Sequence, residues 1–391
     1  MLAKAKSIPP RILSYQELDI LHCLRGFCSF YVVIYHAKYV LWAGGTEYLN
    51  AFPRATWTIM QYVAFALDML SSAGYEMVVF FFVLSGFFIR YAQLRKPRVA
   101  KDFYLNRIVR IYPPYIFSMI LAIVVLTIVV HWVPQIISPI NKRELNTSLS
   151  MAWNDLCAFN FLKFIRALLF LPVQGAIYVG YNSVYWSLLP EALFYVAVPL
   201  AFWRIRAYYV TSIVAYLVGI VLVVLKYNQV GFLDFFLKYN FYFAVGVALY
   251  DIITRTEWLA RVRRMPSWLL LLTVIVLFSV LLPLALLKLK VISGLVAVIL
   301  AVLAVSILLA GRVSRNNLVL RFFHPIGIFS FSLYLYHFPL LILLNGILTA
   351  LTGDVVFYNR YYWLAIPVVT GSCYVLYWIT ERVSINLFRK V

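Results

Sequence analysis

One stretch, Leu18–Val40, strongly constrains what this chain can fold into. Its 23 residues are long and apolar enough to cross a bilayer as a helix, yet they include Arg25 and His36. An ionisable residue inside a spanning helix is costly and usually faces a partner or a water-filled cavity. Eleven positions are close to three helical turns, so both side chains share one face, about 16 Å apart along the axis. The spacing predicts a cation near one membrane surface and an imidazole deep in the span.

The same apolar character recurs along the chain. Its 391 residues are 64% hydrophobic and 12% charged, and the mean hydropathy is +0.90. Such a composition excludes a soluble globular domain. We predict an all-α polytopic membrane bundle of about ten transmembrane helices. The predicted spans cover residues 18–41, 74–92, 111–133, 184–203, 207–225, 239–256, 267–287, 291–311, 326–350 and 361–380.

The net charge of +20 does not indicate nucleic-acid binding, because the basic residues lie between apolar runs. Placing both termini in the cytoplasm gives about a two-to-one excess of Lys and Arg on the inside, as the positive-inside rule predicts. We expect one integral-membrane domain over residues 1–391, with no appended soluble domain. Residues 156–173 are interrupted by Lys163 and Arg166. They predict an interfacial or re-entrant helix, with an additional span as the alternative.

Buried ionisable residues are the candidates for chemistry. His36 is the strongest, because Arg25 shares its helical face. His337 lies inside an apolar run two residues before Pro339, where a hydrogen-bonded role at a helix kink and a catalytic role are both open. Glu191 lies within the fourth span and needs a partner, which would be Arg25, a histidine or a hydroxyl. A carboxylate paired with an imidazole would orient a base.

Three further features have both a structural and a functional interpretation. Glu76 opens the second span and would lie among lipid headgroups or in the site. Ser85, followed by Gly86, would allow close helix packing or support the site. Arg107 and Arg110 lie three apart on one helical face, so they would add to the positive-inside charge or clamp phosphates. The four cysteines have no metal-binding spacing, and we expect no metal.

Five motifs in chain order resemble the acyltransferase 3 family of integral-membrane acyltransferases. They are Arg25-Gly26 through His36, the run FFVLSGFFI at 81–89, FYLNRIVRIYP at 103–113, WSLLPEALFY at 186–195, which includes Trp186, and FSLYLYHFPL at 331–340. The chain departs from the family pattern at two places. His22 occupies a common Asp position, with Asp19 one turn earlier, and Val79 occupies a common acidic position, with Glu76 one turn outward.

The resemblance implies an acyl-CoA-dependent O-acyltransferase of the plasma (inner) membrane. Acetyl-CoA would be the donor, and a sugar hydroxyl of a surface polysaccharide, glycolipid or related glycoside the acceptor. Arg107, Arg110 and Arg25 would hold the donor phosphates, while His36 acts as general base or takes the acyl group itself. The partners are then the bilayer, acyl-CoA and a carbohydrate, and no nucleic acid. The alternative is a transporter or flippase of a glycan or lipid-linked sugar.

Overall fold

A computed structural model describes residues 12–42, 44–138, 143–225, 232–355, 357–358 and 360–388. Within these ranges the protein is helical and has no β-strand, apart from one isolated bridge between Gln174 and Ile177. The prediction of an all-α polytopic helical bundle is confirmed. The helices are α1 Tyr15–Asp19, α2 His22–Leu41, α3 Gly45–Ala51, α4 Ile59–Met69, α5 Gly74–Arg95, α6 Ala100–Trp132, α7 Glu144–Cys157, α8 Phe161–Leu168, α9 Leu188–Trp203, α10 Ile205–Val224, α11 Phe232–Arg255, α12 Trp258–Arg264, α13 Ser267–Leu286, α14 Lys290–Leu309, α15 Leu318–Ile328, α16 Ser330–Thr352, α17 Ala365–Ile379 and α18 Glu381–Phe388. Short 3₁₀ turns cover Arg54–Thr56, Pro134–Ile137, Val179–Tyr181, Ser183–Ser187 and Arg360–Leu364.

Nine helical segments in the described part of the chain are long and apolar enough to cross a membrane. Each overlaps one of the ten predicted spans. The prediction without a counterpart is 184–203, where α9 has 16 residues. At 1.5 Å per residue such a helix is about 24 Å long, which is shorter than the hydrocarbon core.

The segment 156–173 contains no span. The helices there are α7 and α8, which have 14 and 8 residues, so neither can cross the hydrocarbon core. Helix α8 is strongly amphipathic and begins at an Asn160 side chain that accepts a hydrogen bond from the Lys163 backbone N–H. Lys163 also forms an ion pair with Asp155. These features favour the interfacial or re-entrant interpretation over the additional span.

The chain divides into two compact units, each built from three separate segments. The first unit comprises residues 1–28, 75–104 and 190–328, and the second comprises 29–74, 105–189 and 329–391. In the first unit α10 packs on α11 and α13 packs on α14, whereas in the second α16 packs on α17. Helix α2 contributes its first turns to the first unit and the remainder to the second.

Glycines allow two close helix contacts in the first unit. A Cβ added to Gly86 on α5 would lie 2.0 Å from the Phe243 carbonyl oxygen, and one added to Gly246 on α11 would lie 1.9 Å from that of Val83. Helices α2 and α15 meet in the same reciprocal way. There Gly26 abuts the Phe323 carbonyl and Gly327 abuts the His22 carbonyl, each at 1.9 Å from the added Cβ. Such contacts need residues without a side chain at the crossing point.

Prolines inside helices of the second unit leave backbone carbonyls without their usual N–H donor, and side chains donate hydrogen bonds to these carbonyls instead. Pro113 lacks the N–H that would bond the Val109 carbonyl, and the Ser384 hydroxyl donates to that oxygen at 2.8 Å. Pro339 likewise frees the Leu335 carbonyl. Backbone groups buried in an apolar environment need such partners, so α6 and α16 continue through their prolines.

The C-terminal end of α2 is held by buried charges of the second unit. Arg143 donates to the carbonyls of Tyr39, Val40 and Trp42 at 2.7, 3.1 and 3.0 Å. A cation bonded to the last carbonyls of a helix also complements the helix dipole. Lys38 donates to the Asp68 carbonyl at 2.6 Å. These contacts fix the end of the helix that carries His36.

Candidate active site

Two histidines meet in the second unit. His36 Nδ1 lies 2.9 Å from His337 Nε2, and the rings are stacked with an interplanar angle of 24°. His337 is fully buried, whereas His36 is half-buried. The two residues are 301 positions apart in the sequence. The structure therefore brings together two residues that the sequence analysis proposed separately.

The hydrogen bonds assign the tautomers of the neutral pair. His337 Nδ1 lies 2.8 Å from the Leu333 carbonyl oxygen, which can only accept, so this nitrogen carries the proton. His337 Nε2 is then the unprotonated acceptor, and His36 Nδ1 must be its N–H donor. As a result, His36 Nε2 is the unprotonated nitrogen of its ring. An imidazole in this tautomer can take a proton or attack an electrophile through Nε2.

The position of His337 depends on the helix around it. The Leu335 carbonyl freed by Pro339 accepts hydrogen bonds from Ser118 Oγ and from Asn182 Nδ2, both at 2.9 Å. All these groups are buried. The two donors tie α16 to α6 and to the turn before α9, within one turn of His337. The interpretations of His337 as a kink residue and as a site residue thus describe the same arrangement.

Aromatic rings surround the His36 imidazole. Tyr35 and Phe338 make edge-to-face contacts with it, with ring centroids 5.2 and 5.1 Å away. One helical turn before His337, the Tyr334 hydroxyl lies 2.8 Å from Ser187 Oγ and donates to the Val184 carbonyl at 3.0 Å. Apolar rings lower the local dielectric, which strengthens the electrostatic interactions of a reacting charge.

Trp186 lies in the 3₁₀ turn Ser183–Ser187, between the buried Tyr185 and Ser187, and is itself half-buried. Ser118 Oγ lies 2.8 Å from the Tyr185 hydroxyl. The segment 182–187 therefore holds α16 at two places, since Asn182 donates to the Leu335 carbonyl and the Tyr334 hydroxyl bonds Ser187 and Val184. Trp186 lies within this segment.

A carboxylate–hydroxyl cluster occupies the first unit. Glu191 Oε1 accepts hydrogen bonds from Ser85 Oγ at 3.2 Å and from the Tyr195 hydroxyl. The sequence predicted Arg25, a histidine or a hydroxyl as the partner of Glu191, and the structure gives it two hydroxyls. None of the five histidines, all of which are described, is among its hydrogen-bond partners, and the histidine that bonds His36 is His337. Ser85 bonds Glu191, and the adjacent Gly86 makes the close contact with α11.

The remaining predicted site residues lie on three helices. Arg25 lies on α2, half-buried in the first unit, where Gly26 makes the close contact with α15. Arg107 and Arg110 are half-buried on the continuous helix α6, where Arg107 donates to Asn106 Oδ1 at 2.9 Å. Glu76 is buried in the first turn of α5, near Ser293 and Lys290. Burial disfavours the interpretation of Glu76 as a headgroup residue.

Comparison with known families gives one match, to the Acyltransferase domain family known as acyltransferase 3, over residues 18–378. The chain belongs to this family. Searches of curated proteins and of solved structures each found no match. The match covers both compact units and every residue proposed for the site. The protein is therefore a multi-pass membrane acyltransferase.

In this acyltransferase the late motif FSLYLYHFPL has a physical explanation. Tyr334 bonds the turn before α9, the Leu335 carbonyl receives two side-chain donors, His337 contacts His36, and Pro339 frees that carbonyl. Sequence reasoning missed Ser118 and Asn182, because a buried serine or asparagine gives no signal that distinguishes a support residue from other polar residues in a span.

The described residues contain no group of three or more His, Cys, Asp or Glu side chains placed to hold a metal ion. The polar group that contacts the His36 ring is the His337 imidazole. The chemistry that this arrangement can perform is proton transfer or nucleophilic attack by an imidazole.

Proposed function

We propose that this acyltransferase moves an acetyl group from cytoplasmic acetyl-CoA to a sugar hydroxyl of a surface polysaccharide, glycolipid or related glycoside, in the plasma (inner) membrane. Family membership supports acyl transfer. The observation that carries the residue assignment is the His36–His337 hydrogen bond, because it leaves His36 Nε2 as the unprotonated nitrogen of its ring. A base of this kind suits the deprotonation of an alcohol.

In the proposed reaction His36 Nε2 takes the proton of the acceptor hydroxyl as the oxygen attacks the thioester carbonyl. The tetrahedral intermediate then expels the CoA thiolate, which receives that proton from His36. The imidazolium formed in between keeps its Nδ1–H bond to His337. His337 thus orients the base, the place that a carboxylate occupies in a serine-hydrolase triad. A neutral imidazole stabilises the imidazolium less than a carboxylate would.

The same nitrogen also permits a covalent route. Nε2 would attack the thioester carbonyl and expel CoA as the thiolate, which leaves an acyl-imidazolium whose Nδ1–H still bonds His337. The acceptor hydroxyl then cleaves the acyl–Nε2 bond, and its proton passes through the freed Nε2 to the thiolate. Rapid mixing with acetyl-CoA alone separates the two routes. A burst of CoA stoichiometric with the enzyme supports the covalent intermediate, and CoA release that requires acceptor supports direct transfer.

The arginines are proposed to bind the donor. Arg107 and Arg110 share a face of α6 at the end that the positive-inside rule assigns to the cytoplasm, where acetyl-CoA is available. Arg25 lies on the helix that carries His36. Guanidinium groups bind phosphate oxygens through charge-assisted, often bidentate hydrogen bonds. Glu191 is proposed as a further site residue, because a carboxylate held by two hydroxyls is costly to place in an apolar interior without a role.

A direct assay tests this function. Purified protein in detergent is mixed with acetyl-CoA and a panel of glycosides, and CoA release and acetylated product are measured. We expect turnover with at least one glycoside, and a loss of about a hundred- to ten-thousand-fold in His36→Ala. His131→Ala is the matched control, because among the described residues the exposed His131 bonds only the Thr127 carbonyl of its own helix and packs on Trp153.

The assay has two outcomes that contradict the proposal. Near-normal turnover by folded His36→Ala would remove the base, and an equal loss in His131→Ala would point to general destabilisation. Turnover in detergent also distinguishes the enzyme from a transporter, since transport needs two compartments.

A further inference from the structure

The first unit contains a basic cleft, which we define by Asp19, Ile20, Cys23, Arg315, Leu320, Arg321 and His324. Its volume is about 270 Å³. This is close to the lower limit of small-molecule sites and several times the space of one water molecule. The cleft therefore suits one end of a large ligand. Neither the histidine pair nor the Glu191 cluster contributes to its lining.

The charges of the cleft favour an anion with several oxygens. The Arg321 residue is exposed, and its guanidinium forms no hydrogen bond or ion pair with a described residue, whereas its backbone N–H donates to the Asn317 carbonyl. Arg315 is held in place because it donates to the Gln16 carbonyl at 2.7 Å, which leaves the rest of its guanidinium for a ligand. Two arginines at one concave site form a forked set of donors that matches phosphate geometry.

The one carboxylate in the cleft is engaged. Asp19 Oδ2 lies 3.0 Å from His324 Nε2, so the carboxylate that would repel an anion already has a partner in the cleft. The His324 ring in turn contacts the His22 ring edge-to-face, with centroids 5.8 Å apart. The other two charged side chains that line the cleft are those of Arg315 and Arg321.

We propose that this cleft binds the 3′-phosphate of the acyl-CoA donor. A phosphomonoester carries between one and two negative charges near pH 7, which two arginines match. The cleft lies at the end of α2 that carries Arg25, since Asp19, Ile20 and Cys23 precede Arg25 by six, five and two residues. Residues 312–321 are on the cytoplasmic side by the positive-inside count, where the donor is found. This inference rests on the proposed use of acyl-CoA.

Calorimetry with two ligands tests the cleft. Acetyl-CoA and acetyl-3′-dephospho-CoA are each titrated into the full-length parent, Arg321→Gln, Arg315→Gln and the control Arg264→Gln. Arg264 is exposed at the end of α12 and outside the cleft. We expect each cleft variant to bind acetyl-CoA about ten-fold more weakly, as the loss of a charge-assisted hydrogen bond predicts. The affinity for the dephosphorylated ligand, and every affinity of Arg264→Gln, should change less than two-fold.

Other outcomes overturn the proposal. Unchanged acetyl-CoA affinity in both cleft variants, or equal weakening of both ligands, would show that the cleft does not contact the 3′-phosphate. Parent protein in phosphatidylglycerol and phosphatidylcholine nanodiscs provides another arm. If phosphatidylglycerol weakens acetyl-CoA binding by the parent to the level of Arg321→Gln and leaves Arg321→Gln unchanged, a lipid phosphate occupies the cleft in the anionic membrane instead. A parent that binds no acetyl-CoA would refute the proposed function itself. If the parent binds and turns over acetyl-CoA but the cleft variants behave like the parent, only the assignment of the cleft is wrong.

Discussion

Replacing His337 tests whether it orients the base. We compare His337→Gln with His337→Leu, because both side chains have similar size and only glutamine can place an acceptor oxygen near the position of Nε2. Both variants lose the hydrogen bond to the Leu333 carbonyl. The difference between them therefore isolates the acceptor that faces His36.

The size of the effect follows from the single bond of 2.9 Å. A neutral hydrogen bond contributes roughly 0.5–1.5 kcal/mol, and one to a charged group roughly 1.5–3 kcal/mol. When His36 becomes an imidazolium, the bond strengthens by about 1–1.5 kcal/mol. This corresponds to about five- to thirteen-fold in rate. We expect His337→Leu to lose about ten-fold in kcat with little change in KM, because the added strength appears only in the transition state.

The measurement is kcat and KM for CoA release at saturating donor and acceptor, with thermal unfolding in detergent as the check on folding. His337→Gln should recover most of the kcat. A folded His337→Leu with kcat within two-fold of the parent would refute the orienting role. Equal impairment of the two variants would assign His337 to packing in a fully buried site.

Three further predictions concern other parts of the molecule. Glu191→Gln should reduce turnover more than thermal stability, since glutamine keeps the shape and an acceptor oxygen for its hydroxyl partners; a variant without a folded fraction would indicate a structural role. Arg107→Ala and Arg110→Ala should each weaken acetyl-CoA binding about ten- to a hundred-fold while largely keeping turnover at saturating donor. If calorimetry shows unchanged affinity in both variants, these arginines contribute only to the positive-inside charge. Gly86→Ala should destabilise the protein by more than a surface substitution does, because its Cβ would lie 2.0 Å from the Phe243 carbonyl oxygen and backbone cannot move aside easily; an unchanged unfolding temperature would contradict this helix contact.

The sequence could predict the helices and could single out His36 as a candidate, because both are local signals. Apolar runs of about 20 residues identify spans, and an ionisable residue such as His36 is conspicuous inside one. Helix α9 is an exception: an apolar run of the right length there includes the 3₁₀ turn Ser183–Ser187, so the α-helix itself is short. Hydropathy does not distinguish the two kinds of helix.

The partners in the site could not be predicted, because they depend on which helices meet. His337 is 301 residues from His36, and no periodicity connects them. The sequence predicted only the type of partner that Glu191 needs, and the close contact of Gly86 depends on where α5 crosses α11. A glycine in a helix indicates close packing without identifying the neighbour.

Helix α16 explains how Pro339 and His337, the proposed orienting residue, can occur two residues apart. A proline costs a helix one backbone hydrogen bond, and in an apolar environment the freed Leu335 carbonyl must find another donor. Ser118 and Asn182 supply two donors from separate segments of the second unit, so the interrupted turn is held more firmly than an ordinary turn, whose carbonyl has a single backbone partner. His337 extends from this held turn, and its Nδ1 bonds the Leu333 carbonyl four residues earlier. The kink is therefore compatible with the proposed orienting role, because it provides the fixed point from which His337 sets the tautomer of His36.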